Sequence, residues 1–117
     1  MSRVNIENGR LIITMQGARS VFALKSEISV PLSNVTAVTT GFKWKDALRL
    51  LDKVVGTDAI GFYYGGQFWQ EGRRVFYDLK KREDALVISL KDGDFDTLVI
   101  GVDNPDESLA MIEQATN

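Results

Sequence analysis

Apolar residues recur at every second position through most of this chain, in short segments that end at asparagine, glycine or aspartate. A two-residue period places alternate side chains on opposite faces of a β-strand, so each segment buries one face. Leu11, Ile13 and Met15 form one such row. The pair Asn8-Gly9 just before them is the strongest short signal for a β-hairpin. The pattern therefore predicts a β-rich fold with half-buried strands around a shared core.

The same alternation predicts the remaining strands. Their apolar rows or ranges are Ile28 and Val30; 35–40; 62–64; 67–70; 74–78; Leu86, Ile88 and Leu90; and Leu98, Ile100 and Val102. Pro31 has no N–H to donate, so it should end its strand or lie on a sheet edge. Gly65-Gly66 and Asp92-Gly93-Asp94 read as turns. We expect about seven short antiparallel strands.

Two segments have helical spacing instead. From Trp44 to Val55 the apolar residues follow i, i+3, i+4, i+7 and i+11, which predicts a middle helix inserted between strands. Near the end, Asn104 is suited to the N-cap, Pro105 to the first helical position and Glu107 to the third. A C-terminal helix should therefore cover the open end of a strongly bent sheet or small barrel.

Composition narrows the function before any motif does. The 117 residues, 44% of them hydrophobic and 26% charged, suit a single domain over 1–117. The chain has no cysteine and no histidine, so nucleophile–histidine catalysis and the common zinc sites are excluded. We expect neither enzyme activity nor a cofactor. A net charge of −2 argues against nucleic acid. Without a signal peptide or a membrane span, the expected location is the cytoplasm.

Four stretches of the sequence carry a family resemblance. They are 30–35 (VPLSNV), the glycines from Gly56-Thr57 to Gly61, 85–90 (ALVISL), and 98–105 (LVIGVDNP). In this order they resemble small bacterial proteins with a pleckstrin-homology-like (PH-like) domain. The resemblance implies a mainly β fold, namely a bent seven-strand antiparallel sheet or partly open barrel with a C-terminal capping helix. It implies no catalytic residues, and the first hairpin loop, 7–10, has too little positive charge for phosphoinositide binding.

Aromatic residues are concentrated in one part of the chain. The candidate interface residues are Trp44, Phe62, Tyr64, Phe68 and Trp69. Alternation cannot bury all the rings of 62–64 and 68–69 on one face, so some should be exposed. Exposed tryptophan and tyrosine commonly mark protein interfaces. The alternative is that the helix of Trp44 covers these rings within the monomer.

Two clusters of charged residues are candidate ligand-binding sites. The candidate anion contacts are Arg73, Arg74, Lys80, Lys81 and Arg82. Glu83 and Asp84 follow and partly cancel this field, so a solvated turn is the simpler interpretation. Alternating carboxylates at 92, 94 and 96 resemble the start of a calcium loop. Thr97 stands where that loop needs glycine, so we predict no metal site.

The residues thus favour a non-catalytic binding or assembly module. Its expected partner is a second copy, giving a homo-oligomer, or another protein, because association would cover the aromatic surface and an exposed strand edge. The alternative is a peripheral module for anionic lipid or a phosphate ligand, acting through the basic cluster.

Overall fold

The computed structural model describes residues 3–15, 27–42, 63–70, 72–80 and 83–116, although side chains are not described at 63–66, 68, 70 and 80. Within these ranges the protein is mainly β and ends in one helix. The strands are β1 (Arg3–Glu7), β2 (Arg10–Thr14), β3 (Glu27–Pro31), β4 (Val35–Phe42), β5 (Tyr63–Gln70), β6 (Arg73–Lys80), β7 (Asp84–Leu90) and β8 (Thr97–Val102). A short 3₁₀ turn, Leu32–Asn34, joins β3 to β4, and helix α1 spans Pro105–Thr116.

The first sheet has three strands in the order β1-β2-β3, all antiparallel. The predicted Asn8-Gly9 hairpin is confirmed: φ is 52° at Asn8 and 74° at Gly9, and Glu7 pairs with Arg10. Two consecutive positive φ angles match the right-handed twist of the flanking strands, which is why this dipeptide is favoured there. Pro31 is the last residue of β3, an outer strand of this sheet, as its missing N–H predicts.

The second sheet has five strands in the order β4-β7-β8-β6-β5. Here the expectation of a wholly antiparallel sheet is wrong, because β8 inserts between β7 and β6 and runs parallel to β6. The described residues also hold eight strands rather than about seven, and no barrel is closed. Periodicity reports the face on which a residue lies and carries no information on which strand becomes its neighbour.

The predicted turn at Gly65-Gly66 is also wrong. Strand β5 runs through both glycines and pairs with β6 without interruption, from Tyr63 opposite Lys80 to Gln70 opposite Arg73. Each glycine keeps a partner in the ladder, Gly65 opposite Asp78 and Gly66 opposite Tyr77, and this pairing holds them in extended backbone.

One hydrophobic core joins the two sheets and α1. It contains Leu11, Ile13, Met15, Ile28, Phe76, Leu86, Ile88, Phe95, Leu98, Ile100, Val102 and Ile112. Nine of these residues belong to the apolar rows that alternation predicts in and beside β2, β3, β7 and β8, so those face assignments are confirmed. Phe76, Phe95 and Ile112 come from β6, the β7–β8 turn and α1. The opposite face of the second sheet buries a smaller cluster that includes Val75, Tyr77 and Leu79.

Helix α1 begins as its sequence predicts. The Glu107 N–H donates to Asn104 Oδ1 at 3.1 Å, and the Asn104 side-chain amide donates back to the Glu107 carboxylate at 3.4 Å. The cap satisfies one of the N–H groups that the first turn leaves unpaired. Ile112 is fully buried, with Leu109 packed beside it, so α1 contributes directly to the shared core. The predicted middle helix at 44–55 lies outside the described residues.

Candidate functional site

The predicted aromatic cluster is only partly visible in the described structure. Trp44 and Phe62 lie outside the described residues, and Tyr64 and Phe68 belong to β5 by their backbone. Trp69 is described in full: its side chain is 52% exposed. This confirms that at least one ring of the set faces solvent. Among the described residues it is the one large apolar side chain left exposed.

Trp69 lies on an outer strand. In the described part of the chain, β5 pairs with β6 on one side and with no strand on the other. The other exposed side chain described on β5 is Gln67, two residues earlier and therefore on the same face. Their cross-strand partners on β6 are Arg74 for Trp69 and Phe76 for Gln67. Gln67 and Trp69 thus form an exposed stripe on β5, and β6, which carries the buried residue Phe76, lies directly beside it.

Sheet edges expose unpaired N–H and C=O groups that can capture another strand, and natural proteins usually protect them. Strand β1 has the charged residues Arg3 and Glu7 at its two ends. Strand β3 begins with Glu27 and ends with Pro31. Both charge and proline are recognised ways of blocking an edge. The outer strands of the first sheet therefore carry protection.

Strand β4, the other outer strand of the second sheet, is protected differently. Its ladder with β7 has two register irregularities, between Val35 and Ala37 and between Thr39 and Phe42, and α1 packs against it. Bulges and covering helices both obstruct edge pairing. By contrast, the eight residues of β5, Tyr63–Gln70, include no charged residue and no proline. Of the four outer strands described, β5 alone lacks such protection.

Arg74 fixes the position of β6 beside this edge. Its guanidinium donates from Nη2 to the Gly93 carbonyl at 2.8 Å, and its Nε lies 3.7 Å from Asp96 Oδ2. The Arg74 N–H also donates to that carboxylate at 2.8 Å, and the Asp96 N–H donates to the Arg74 carbonyl at 2.8 Å. These contacts fasten the β7–β8 turn to the start of β6. The Asp96 carboxylate is therefore bound by Arg74.

The other candidate anion contacts do not form a cluster within the described residues. Arg73 is exposed at the start of β6, whereas Lys80 lies at the opposite end of the same strand, and its side chain is not described. Lys81 and Arg82 lie outside the described residues. Anion binding by this set stays a prediction.

A cleft of ≈ 320 Å³ separates β3 from the β7–β8 turn. Its polar walls come from Glu27, Ser29, Asn34, Lys91, Asp92 and Asp94. The Asn34 amide donates to the Asp92 carbonyl at 3.1 Å, which braces the turn from the side opposite Arg74. Within the described ranges, no group of three or more acidic side chains is placed to hold a metal ion.

Sequence reasoning missed two features of this region. Asp78 is fully buried on β6, where the apolar run on either side gave no hint of a core carboxylate. Every buried side-chain polar atom in the described part has a hydrogen-bond partner, so Asp78 belongs to a satisfied network. The second feature is the edge at Gly65 and Gln67. Its signal was present in the sequence, as a strand without charge or proline.

No protein-family model, curated protein or solved structure matches this chain. No helix among the described residues is long and apolar enough to cross a membrane.

Proposed function

We propose that this chain is a non-catalytic assembly module that binds protein through the edge of β5, with a second copy of itself as the simplest partner. The observation that carries the proposal is Trp69, half-exposed on an outer strand that lacks charge and proline. Tryptophan contributes strongly to protein interfaces when a partner desolvates it. An unprotected edge supplies backbone hydrogen bonds to the same partner.

The residue composition supports the non-catalytic part of this proposal. The chain has no histidine and no cysteine, which removes the commonest general base and the thiolate nucleophile. A chain without cysteine also gains nothing from an oxidising compartment, so we propose that it works in the cytoplasm.

We propose that the chain is related to the PH-like domains that its sequence resembles. A terminal helix that follows the last strand and packs on the core supports it. The parallel pairing of β6 with β8 departs from the wholly antiparallel sheet that the resemblance implies.

Anionic lipid or a phosphate ligand is the less favoured partner. The guanidinium of Arg74 already contacts Gly93 and Asp96 within the chain, so this member of the basic cluster is occupied. Sedimentation with anionic vesicles at low salt tests this alternative, since such contacts weaken as salt rises. Binding that survives Trp69→Ala and disappears at high salt would favour lipid over the protein edge.

Sedimentation velocity across a concentration series tests the assembly proposal. The wild-type mass should rise from monomer toward a discrete oligomer between low and high micromolar concentration. Trp69→Ala should remain monomeric over the same range, because the anchoring ring is gone. Gln114→Ala is the matched control, since Gln114 is exposed on α1, which packs against β4 at the other edge of the five-stranded sheet, and it should behave as wild type. A wild-type chain that stays monomeric throughout would refute self-association.

A further inference from the structure

The backbone of Arg74 reveals which groups of β5 face the open edge. Its N–H donates to the Asp96 carboxylate and its carbonyl accepts from the Asp96 N–H, so both groups point away from β5. In an antiparallel ladder, residues that exchange hydrogen bonds alternate with residues that do not. Arg74 and its partner Trp69 are therefore a non-hydrogen-bonded pair. The N–H and C=O of Trp69 consequently point outward, to the open side of β5.

The alternation extends along the strand. Gln67 and Gly65, two and four residues before Trp69, have the same backbone orientation because their ladder with β6 is unbroken. The side chains of Gln67 and Trp69 are both exposed, and no strand among the described residues pairs with the outer side of β5. Three residues at alternate positions thus present donors and acceptors to an incoming strand.

The chemistry of this edge fits a second copy of the same chain. In a symmetric antiparallel contact the residues near the twofold axis lie beside their own counterparts, so a charge there would be repelled by its own copy. Residues Tyr63–Gln70 contain no charge, and two copies can approach without that cost. The outer strand β3 ends at Pro31, which has no N–H to donate to a second copy.

We propose that two copies pair their β5 strands antiparallel about a twofold axis at Gln67, which joins their five-stranded sheets into one. This inference rests on the proposed function and specifies its partner and register. Gln67 faces Gln67 of the second copy, and Trp69 faces the second copy's Gly65. Glycine leaves room above the strand that an aromatic ring from the facing strand can fill.

Strand length and the position of Trp69 together select this register. A twofold axis at any residue of β5 pairs odd-numbered residues with odd-numbered residues, so outward backbone groups always meet outward backbone groups and hydrogen bonding alone does not choose the axis. An axis at Gly65 would place Trp69 opposite position 61, and an axis at Trp69 would place Gly65 opposite position 73. Both positions lie beyond β5, Tyr63–Gln70. Axes at Gly66 and Gln67 keep the longest stretches paired, 63–69 and 64–70, and of these two only the axis at Gln67 places Trp69 opposite a glycine.

Cysteine crosslinking tests the register directly, because the chain has no cysteine of its own. In Gln67→Cys the two thiols face each other across the axis. Facing residues of a hydrogen-bonded pair have Cα atoms about 5.5 Å apart, and a disulfide accepts roughly 4.4–6.8 Å. Ser29→Cys is the control, since Ser29 is an exposed residue on the outer strand β3. Gln67→Cys should form crosslinked dimer at least about tenfold faster, because the complex holds its thiols at high effective concentration.

The outcomes separate the register from the function. A wild-type oligomer in sedimentation, together with a Gln67→Cys variant that crosslinks no faster than Ser29→Cys, overturns the register and leaves self-association standing. A monomeric wild type overturns both. Reduced Gln67→Cys should sediment as wild type does, which confirms that the substitution preserves the fold and the association.

Discussion

Strands β5 and β6 are the two arms of one hairpin, yet their surroundings are opposite. From Val75 to Leu79 every side chain of β6 is buried, and the strand has a neighbour on each side. On β5 the side chains of Gln67 and Trp69 are exposed, and the strand has one neighbour in the described structure. The chain therefore changes from sheet interior to sheet edge within a single turn.

This difference predicts that β6 affects mainly the free energy of folding and that the exposed stripe of β5 affects mainly association. Burial on both faces makes β6 a source of folding free energy, since the hydrophobic effect scales with the apolar area removed from water. On β5, Gln67 and Trp69 bury less of their surface, and this part of the strand has outward hydrogen-bonding groups and a large aromatic ring. Substitutions on β6 should therefore act on the free energy of unfolding, and substitutions on the exposed stripe of β5 should act on assembly.

Phe76 and Gln67 provide the sharpest form of this comparison, because they face each other in the ladder. Phe76 is 1% exposed, and its ring packs against Phe95 with centroids 5.3 Å apart. Phe76→Ala should lower the free energy of unfolding by about 3–5 kcal/mol, because it removes buried contacts and leaves a cavity. Gln67→Ala should change it by no more than about 0.5 kcal/mol. Urea titrations followed by circular dichroism measure the free energy of unfolding of both variants. Comparable losses in the two would contradict the assignment of Phe76 to the core and of Gln67 to the exposed stripe.

Short sequence segments were enough to predict local structure where a residue type has a single physical consequence. The positive φ angles of Asn8-Gly9, the missing N–H of Pro31 and the cap at Asn104 were all predictable from short segments. The inward rows of β2 and β8 were predictable because alternation determines the face of a strand. These features required no knowledge of the rest of the chain.

Strand order was not predictable, because it depends on distant partners. The insertion of β8 between β7 and β6 leaves the alternation of all three strands unchanged. The turn predicted at Gly65-Gly66 is wrong for a related reason. Glycine permits a turn but does not require one, and here pairing with β6 keeps both glycines in the strand. At the candidate site, aromatic content indicated Trp69, whereas the pairing of Arg74 with Asp96 depends on a contact between distant parts of the sequence.

The contact between Arg74 and Asp96 should have an intermediate effect. Asp96→Ala removes the acceptor of the Arg74 N–H, so it should lower the free energy of unfolding by about 1 kcal/mol. The side chains are 36% and 39% exposed, so their ionic attraction is weakened by water. A double-mutant cycle with Arg74→Gln and Asp96→Asn should give a coupling of about 0.2–1 kcal/mol that falls as salt rises. A coupling that is zero at low salt would mean that the turn is fastened by the hydrogen bonds of Arg74 to Gly93 and Asp96, without a contribution from the ionic contact.

The smallest effect on folding is expected at Trp69, although its effect on assembly should be the largest. The ring is 52% exposed, so at concentrations where the protein is monomeric Trp69→Ala should shift the free energy of unfolding by about 0.5 kcal/mol or less. At high micromolar concentration we expect the wild type to gain stability through mass action and the variant not to. The gap between their urea midpoints should therefore widen with protein concentration. A gap of constant size would mean that the indole stabilises the monomer, and the contrast between the two strands would then no longer separate folding from association.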